Sequence, residues 1–115
     1  MRGDPTAGAL RVCAASDLAD GDALVVPVEV SGLNKAVAVV RDGGRFHALD
    51  DACPHEGASL ADGWIEHGEV ECPLHAARFC LRTGRVLGPP AERPVRTYPV
   101  ELRGGQVWLI LPGER

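Results

Sequence analysis

Turn residues cut this chain into short runs, and no run reads as a long amphipathic helix. Val-rich segments at Ala23–Val30 and Ala36–Val40 suit a pleated surface, and Leu10–Ala14 is a plausible first strand. Asp42-Gly43-Gly44 marks a tight turn before Arg45–Leu49. Gly68 separates Trp64–His67 from Glu69–Cys72. Arg78–Arg82 alternates polar and apolar residues, with Phe79 and Leu81 on one face. Gly88-Pro89-Pro90 cannot be interior strand, because consecutive prolines remove ladder donors. Gly104-Gly105 joins Val95–Arg103 to Gln106–Leu111 as a hairpin. Only Ala15–Ala19 suits a helical turn, with Ser16 as its cap. The expected fold is all-β, a sandwich or partly open barrel of short antiparallel strands. Residues 1–8 are expected to be a flexible tail and residues 9–115 one domain.

Twelve Lys and Arg against sixteen Asp and Glu leave a net charge of −4. That balance gives no general attraction to nucleic acid or to an anionic membrane. It favours steering toward a basic patch on a protein partner. No stretch approaches the roughly twenty apolar residues that cross a bilayer, and Met1–Gly8 has no apolar signal core. The expected compartment is the cytoplasm. There the four cysteines, Cys13, Cys53, Cys72 and Cys80, are better suited to metal binding than to disulfides.

The chemistry lies in two short stretches, Cys53-Pro54-His55-Glu56-Gly57 and Cys72-Pro73-Leu74-His75. Each places one thiol and one imidazole within a few residues. Proline and glycine bend both stretches away from a straight strand, whose side chains alternate faces and cannot converge. Two such loops on neighbouring hairpins can clasp a metal. Two Cys and two His also suit a tetrahedral zinc site, although zinc modules usually space their cysteines as C-x-x-C.

The C-x-H and C-x-x-H pair resembles the Rieske family, whose loops typically run C-P-H-x-G and C-P-x-H-G. Phe46–Asp50, Arg78–Gly84 and Gly88-Pro89-Pro90 resemble the flanking strands and the proline loop that covers the cluster. The resemblance implies one [2Fe–2S] cluster, with Cys53 and Cys72 on one iron and His55 and His75 on the other. Ala76 replaces the family's glycine after the second histidine and removes no ligand. Respiratory-type members carry an extra cysteine in each loop; the corresponding positions here are Ala58 or a neighbour and Leu74. They also carry hydroxyls at the positions of Ala77 and Phe79, whose absence here implies a potential at the low end of the Rieske range. The chain is most similar to stand-alone ferredoxins of bacterial aromatic-ring dioxygenase systems.

With all four ligands supplied by protein, the resemblance implies an electron carrier rather than a catalyst. Its expected partners are a flavin-dependent reductase and a terminal oxygenase, with no nucleic acid and no membrane. It is expected to be monomeric in isolation. Cys13 and Cys80 are read as packing residues, Trp64 and Trp108 as core aromatics, and Glu56 as a partner contact. His47 and His67 lack a second domain that could build a mononuclear iron site from them. Two alternatives are a small Rieske subunit of an NAD(P)H nitrite reductase and a zinc-stabilised binding module.

Overall fold

The computed structural model describes residues 8–54, 57–74, 77–88 and 93–112. Among these residues eleven strands form three antiparallel sheets, none of which closes into a barrel. The first sheet has the order β1 (Ala9–Ala14), β11 (Gln106–Ile110), β10 (Val100–Arg103). The second has the order β2 (Ala23–Val26), β3 (Val37–Asp42), β4 (Arg45–Asp50), β9 (Thr97–Tyr98). The third runs β5 (Trp64–Glu66), β6 (Glu69–Glu71), β7 (Arg78–Cys80), β8 (Val86–Gly88). Single helical turns at Ala15–Asp17, Val28–Ser31 (α1) and Leu60–Asp62 make up the helix of the described residues.

The second sheet is the middle layer, and its sequence shows why. Val37, Ala38, Val39 and Val40 are all fully buried. A half-exposed strand would alternate, whereas one covered on both faces is continuously apolar. Ala38, Val40 and Leu49 face the third sheet, where Ile65, Val70, Phe79 and Leu81 meet them. Val37, Val39 and Ala48 face the first sheet, against Cys13, Val107 and Leu109. One core therefore lies on each side of β3 and β4.

Several expectations need correction. Ala23–Val30 is not one strand. Pairing stops at Val26↔Val37, and Pro27, which lacks an N–H, opens α1. The Ser31 N–H donates to the Pro27 carbonyl at 3.1 Å, and the turn closes at Gly32. Ser16 is no cap: its turn starts from Ala14 with no side-chain hydrogen bond. Pro99 divides the Val95–Arg103 segment into β9 and β10. Trp64 is 63% exposed, since alternation on β5 sends Ile65 inward. Trp108 is half-buried between Val107 and Leu109, under the Arg103 guanidinium at 5.5 Å.

Candidate metal centre

Both cysteine loops are built on one plan. Loop one follows β4 through a neck made by the Ala52↔Ser59 bridge. The Cys53 N–H donates to the Ala58 carbonyl at 2.8 Å, and the Gly57 N–H returns to the Cys53 carbonyl at 2.7 Å. Asp51 braces the neck, accepting from the Ser59 hydroxyl at 2.8 Å and the Ala61 N–H at 2.9 Å. Loop two is the tip of the β6–β7 hairpin, after the Glu71↔Arg78 pair. There the Cys72 N–H donates to the Ala77 carbonyl at 2.7 Å. In each loop the cysteine N–H is spent on the residue that closes the loop. That bond sets the backbone from which each cysteine side chain leaves its loop.

The two cysteines come together. Cys53 is 2% and Cys72 0% exposed, and both belong to the core that contains Leu60, Ala77, Phe79 and Val95. Two thiols buried in one core at the ends of hairpin loops are the donor set that a thiolate-held iron requires. His55 and His75, the expected imidazole ligands, lie outside the described residues, as do Glu56 and Ala76. Pro89 and Pro90 of the proline loop do also. Beyond that segment the chain returns and is pinned on both sides. The Val95 N–H donates to the Gly84 carbonyl and the Asp50 N–H to the Arg96 carbonyl, each at 2.9 Å.

The remaining candidate residues stand apart from this core. Cys13 is buried in the opposite core, and burial pushes its thiol pKa up. Cys80 is not a core packing residue. Phe79 and Leu81 take the inner face, leaving Cys80 half-buried on the outer one. The Thr83 hydroxyl hydrogen bond, helped by the backbone of Thr83 and Arg82, pulls its thiol pKa down. His47 and His67 border the same cavity as Cys80 and Arg82, of about 600 Å³. Burial lowers the His47 pKa, with Asp42 acting the other way. His67 sits in the β5–β6 turn with its side chain 86% exposed. Among the described residues, no three His, Cys, Asp or Glu side chains are placed to hold a metal ion.

Two contacts of this region have no signature in the sequence. The Tyr98 hydroxyl donates to buried Asp50 at 2.6 Å, under the Arg96 guanidinium at 5.0 Å. Burial, with Asp50 adding to it, pushes the Tyr98 pKa up to about 12. Arg78, on β7, donates to Glu69 at 2.8 Å and to the Leu87 carbonyl at 3.2 Å. It thus ties β8 to the hairpin of loop two. The sequence holds one tyrosine and places Glu69 nine residues before Arg78, and neither spacing specifies a contact.

Comparison with known proteins agrees with this geometry. The family model described as the Rieske [2Fe-2S] domain matches residues 8–99. The 3-phenylpropionate/cinnamic acid dioxygenase ferredoxin subunit of Escherichia coli K12 is 42% identical over 101 residues, covering 87% of this chain and 91% of the relative. The ferredoxin of carbazole 1,9a-dioxygenase from Nocardioides aromaticivorans IC177 superposes with a TM-score of 0.82 at 34% identity, over 92% of this chain and all of that one. The ferredoxin in a complex of reduced oxygenase and oxidized ferredoxin of carbazole 1,9a-dioxygenase gives a TM-score of 0.79 at 35% identity, over 87% and 99% of the two chains. With the family model matching residues 8–99, a relative 42% identical over most of both chains and a matching fold, this chain belongs to the Rieske [2Fe–2S] domain family.

Proposed function

We propose that this protein is a one-electron carrier between an NAD(P)H-dependent flavin reductase and a terminal oxygenase of the aromatic-ring dioxygenase type. The observation that carries the reading is similarity to dioxygenase ferredoxins over 87–92% of the chain, joined to two buried cysteines whose N–H groups each donate to the residue five positions on. Relatives at 34–42% identity are ferredoxins of such systems, which favours this reading over a nitrite reductase subunit.

We assign Cys53 and Cys72 to one iron and His55 and His75 to the other. A Rieske cluster, when bound, supplies a reversible one-electron couple at about −150 to +300 mV. Within that assignment the protein has three tasks. The buried cysteines exclude water from the sulfur side of the site. Two neutral imidazoles in place of two thiolates leave the site less negative, so an added electron costs less. Leu74, 63% exposed on loop two, gives a partner an apolar contact beside the outer ligands. Residues 9–115 act as one domain after a tail at 1–8, and the protein works in the cytoplasm. Among the described residues, no helix is long and apolar enough to cross a membrane.

The test is reconstitution. With NADH and a reductase the visible spectrum of the protein should bleach, and addition of an oxygenase with its aromatic substrate should restore it. A protein that is not reduced by the reductase, or that turns over substrate alone, contradicts the reading.

A further inference from the structure

The net charge of −4 favours steering toward basic partners, yet among the described residues the surface beside Cys53 carries mostly basic side chains. A cavity of about 350 Å³ is bordered by Cys53 and Pro54 of loop one and by Pro94 and Val95 of the returning segment. Its charged rim is Lys35, Arg93 and Arg96, all exposed. None of the three has a carboxylate ion-pair partner among the described residues. Among the described residues the one carboxylate on the rim, Asp50, is 7% exposed and already accepts the Tyr98 hydroxyl. A second cavity, of about 520 Å³, shares Lys35, Asp50, Pro94 and Arg96 with the first, so the two make one groove. Arg96 is held in place by the ring of Tyr98 beneath its guanidinium.

We propose that this groove docks an acidic surface segment of a redox-partner protein and aligns the partner with the Cys53 loop. The inference rests on the electron-carrier reading. A protein segment fits better than a small anion for two reasons. The cations are spread along a groove walled by prolines and Val95 instead of converging on a point. The groove also opens beside loop one of the proposed electron centre, so a partner seated in it lies next to that loop. Steering by such a patch acts within about a Debye length, roughly 10 Å at 0.1 M salt, and raises the association rate more than the final affinity.

The test uses the intact protein on gold electrodes at low salt, with a carboxylate-terminated monolayer as the acidic surface and an ammonium-terminated one as control. Electron transfer should be at least tenfold faster on the carboxylate monolayer. The double variant Lys35→Glu/Arg93→Glu should lose that advantage while its visible spectrum and iron content stay unchanged. Adsorbed mass on the same monolayers should show the same order. Equal rates on the two monolayers, an unaffected double variant, or tight saturable binding of inorganic phosphate to the groove would overturn the proposal. A colourless protein without iron would instead count against the carrier reading, and adsorbed mass alone would then decide the charge of this face.

Discussion

Gly84 is where the segment returning from the proline loop is locked to the third sheet. Its φ is +78°, and an added Cβ would lie 1.9 Å from the Val95 carbonyl oxygen and 3.1 Å from Thr97 Cγ2. Gly43, in the β3–β4 turn, has a similar φ of +64° but nothing within 4 Å. An alanine in left-handed backbone costs about 1–2 kcal/mol, and Gly43→Ala should cost only that. Gly84→Ala adds the displacement of Val95. The hydrogen bond from the Val95 N–H to the Gly84 carbonyl is lost, at about 1 kcal/mol. Val95, 5% exposed in the cysteine core, gives up part of its burial, about another 1 kcal/mol. The expected total is about 3–4 kcal/mol. At about 4 °C per kcal/mol for a domain of this size, Gly84→Ala should melt about 12–16 °C below the parent and Gly43→Ala about 4–8 °C below. Circular dichroism melts at one scan rate make the comparison. Two variants melting within about 2 °C of each other would show that the Val95 contact does not hold this segment.

Tyr98 is the only tyrosine, so the tyrosinate ultraviolet band reports it alone. It should stay protonated through the ordinary tyrosine range near pH 10 and titrate at about 12; a midpoint near 10 would refute the buried Asp50 contact. Because the folded pKa is raised, the stability that wild type holds over Tyr98→Phe, about 1.5–3 kcal/mol, should be complete below pH 10. It should fade as pH climbs toward 12. Alkylation at mildly alkaline pH should label Cys80 before Cys13, since one thiol pKa is lowered and the other raised; peptide mass spectrometry that finds Cys13 labelled first refutes this. The potential should lie near −150 mV, the low end for Rieske centres. Ala77→Ser, adding a donor worth about 1–2 kcal/mol to the reduced state, should raise it by roughly 40–90 mV at about 59 mV per 1.4 kcal/mol. Protein-film voltammetry giving a wild-type value above zero would contradict the low-potential assignment.

The layered fold was legible where patterning was strong. The valine run at Val37–Val40 and the alternation of Phe79 and Leu81 both describe buried faces, and the hairpin glycines mark real turns. The α1 turn was not legible, because Val25-Val26-Pro27-Val28 reads as strand until the pairing partner runs out at Val37. Strand β8 was hidden by its length, only Val86–Gly88 before two prolines. Cys53 and Cys72 stand out as candidates because their chemistry is packed into two short motifs, and the fold buries both in one core. The basic rim does not: Lys35 is far in sequence from Arg93 and Arg96, and an average charge of −4 conceals them. The alternation that sets Cys80 opposite Phe79 and Leu81 was legible, and the burial of Phe79 and Leu81 leaves Cys80 half-buried on the outer face.

The central claim is a two-iron, two-sulfide centre that moves one electron, held by Cys53, His55, Cys72 and His75. The most direct measurement is iron, zinc and acid-labile sulfide content combined with an anaerobic redox titration, on wild type and on Cys53→Ala, Cys72→Ala, His55→Ala and His75→Ala. Wild type should give two irons and two sulfides per chain and a reversible one-electron step, and each variant should lose the centre. Stoichiometric zinc without labile sulfide, or an intact centre in any of the four variants, would contradict it.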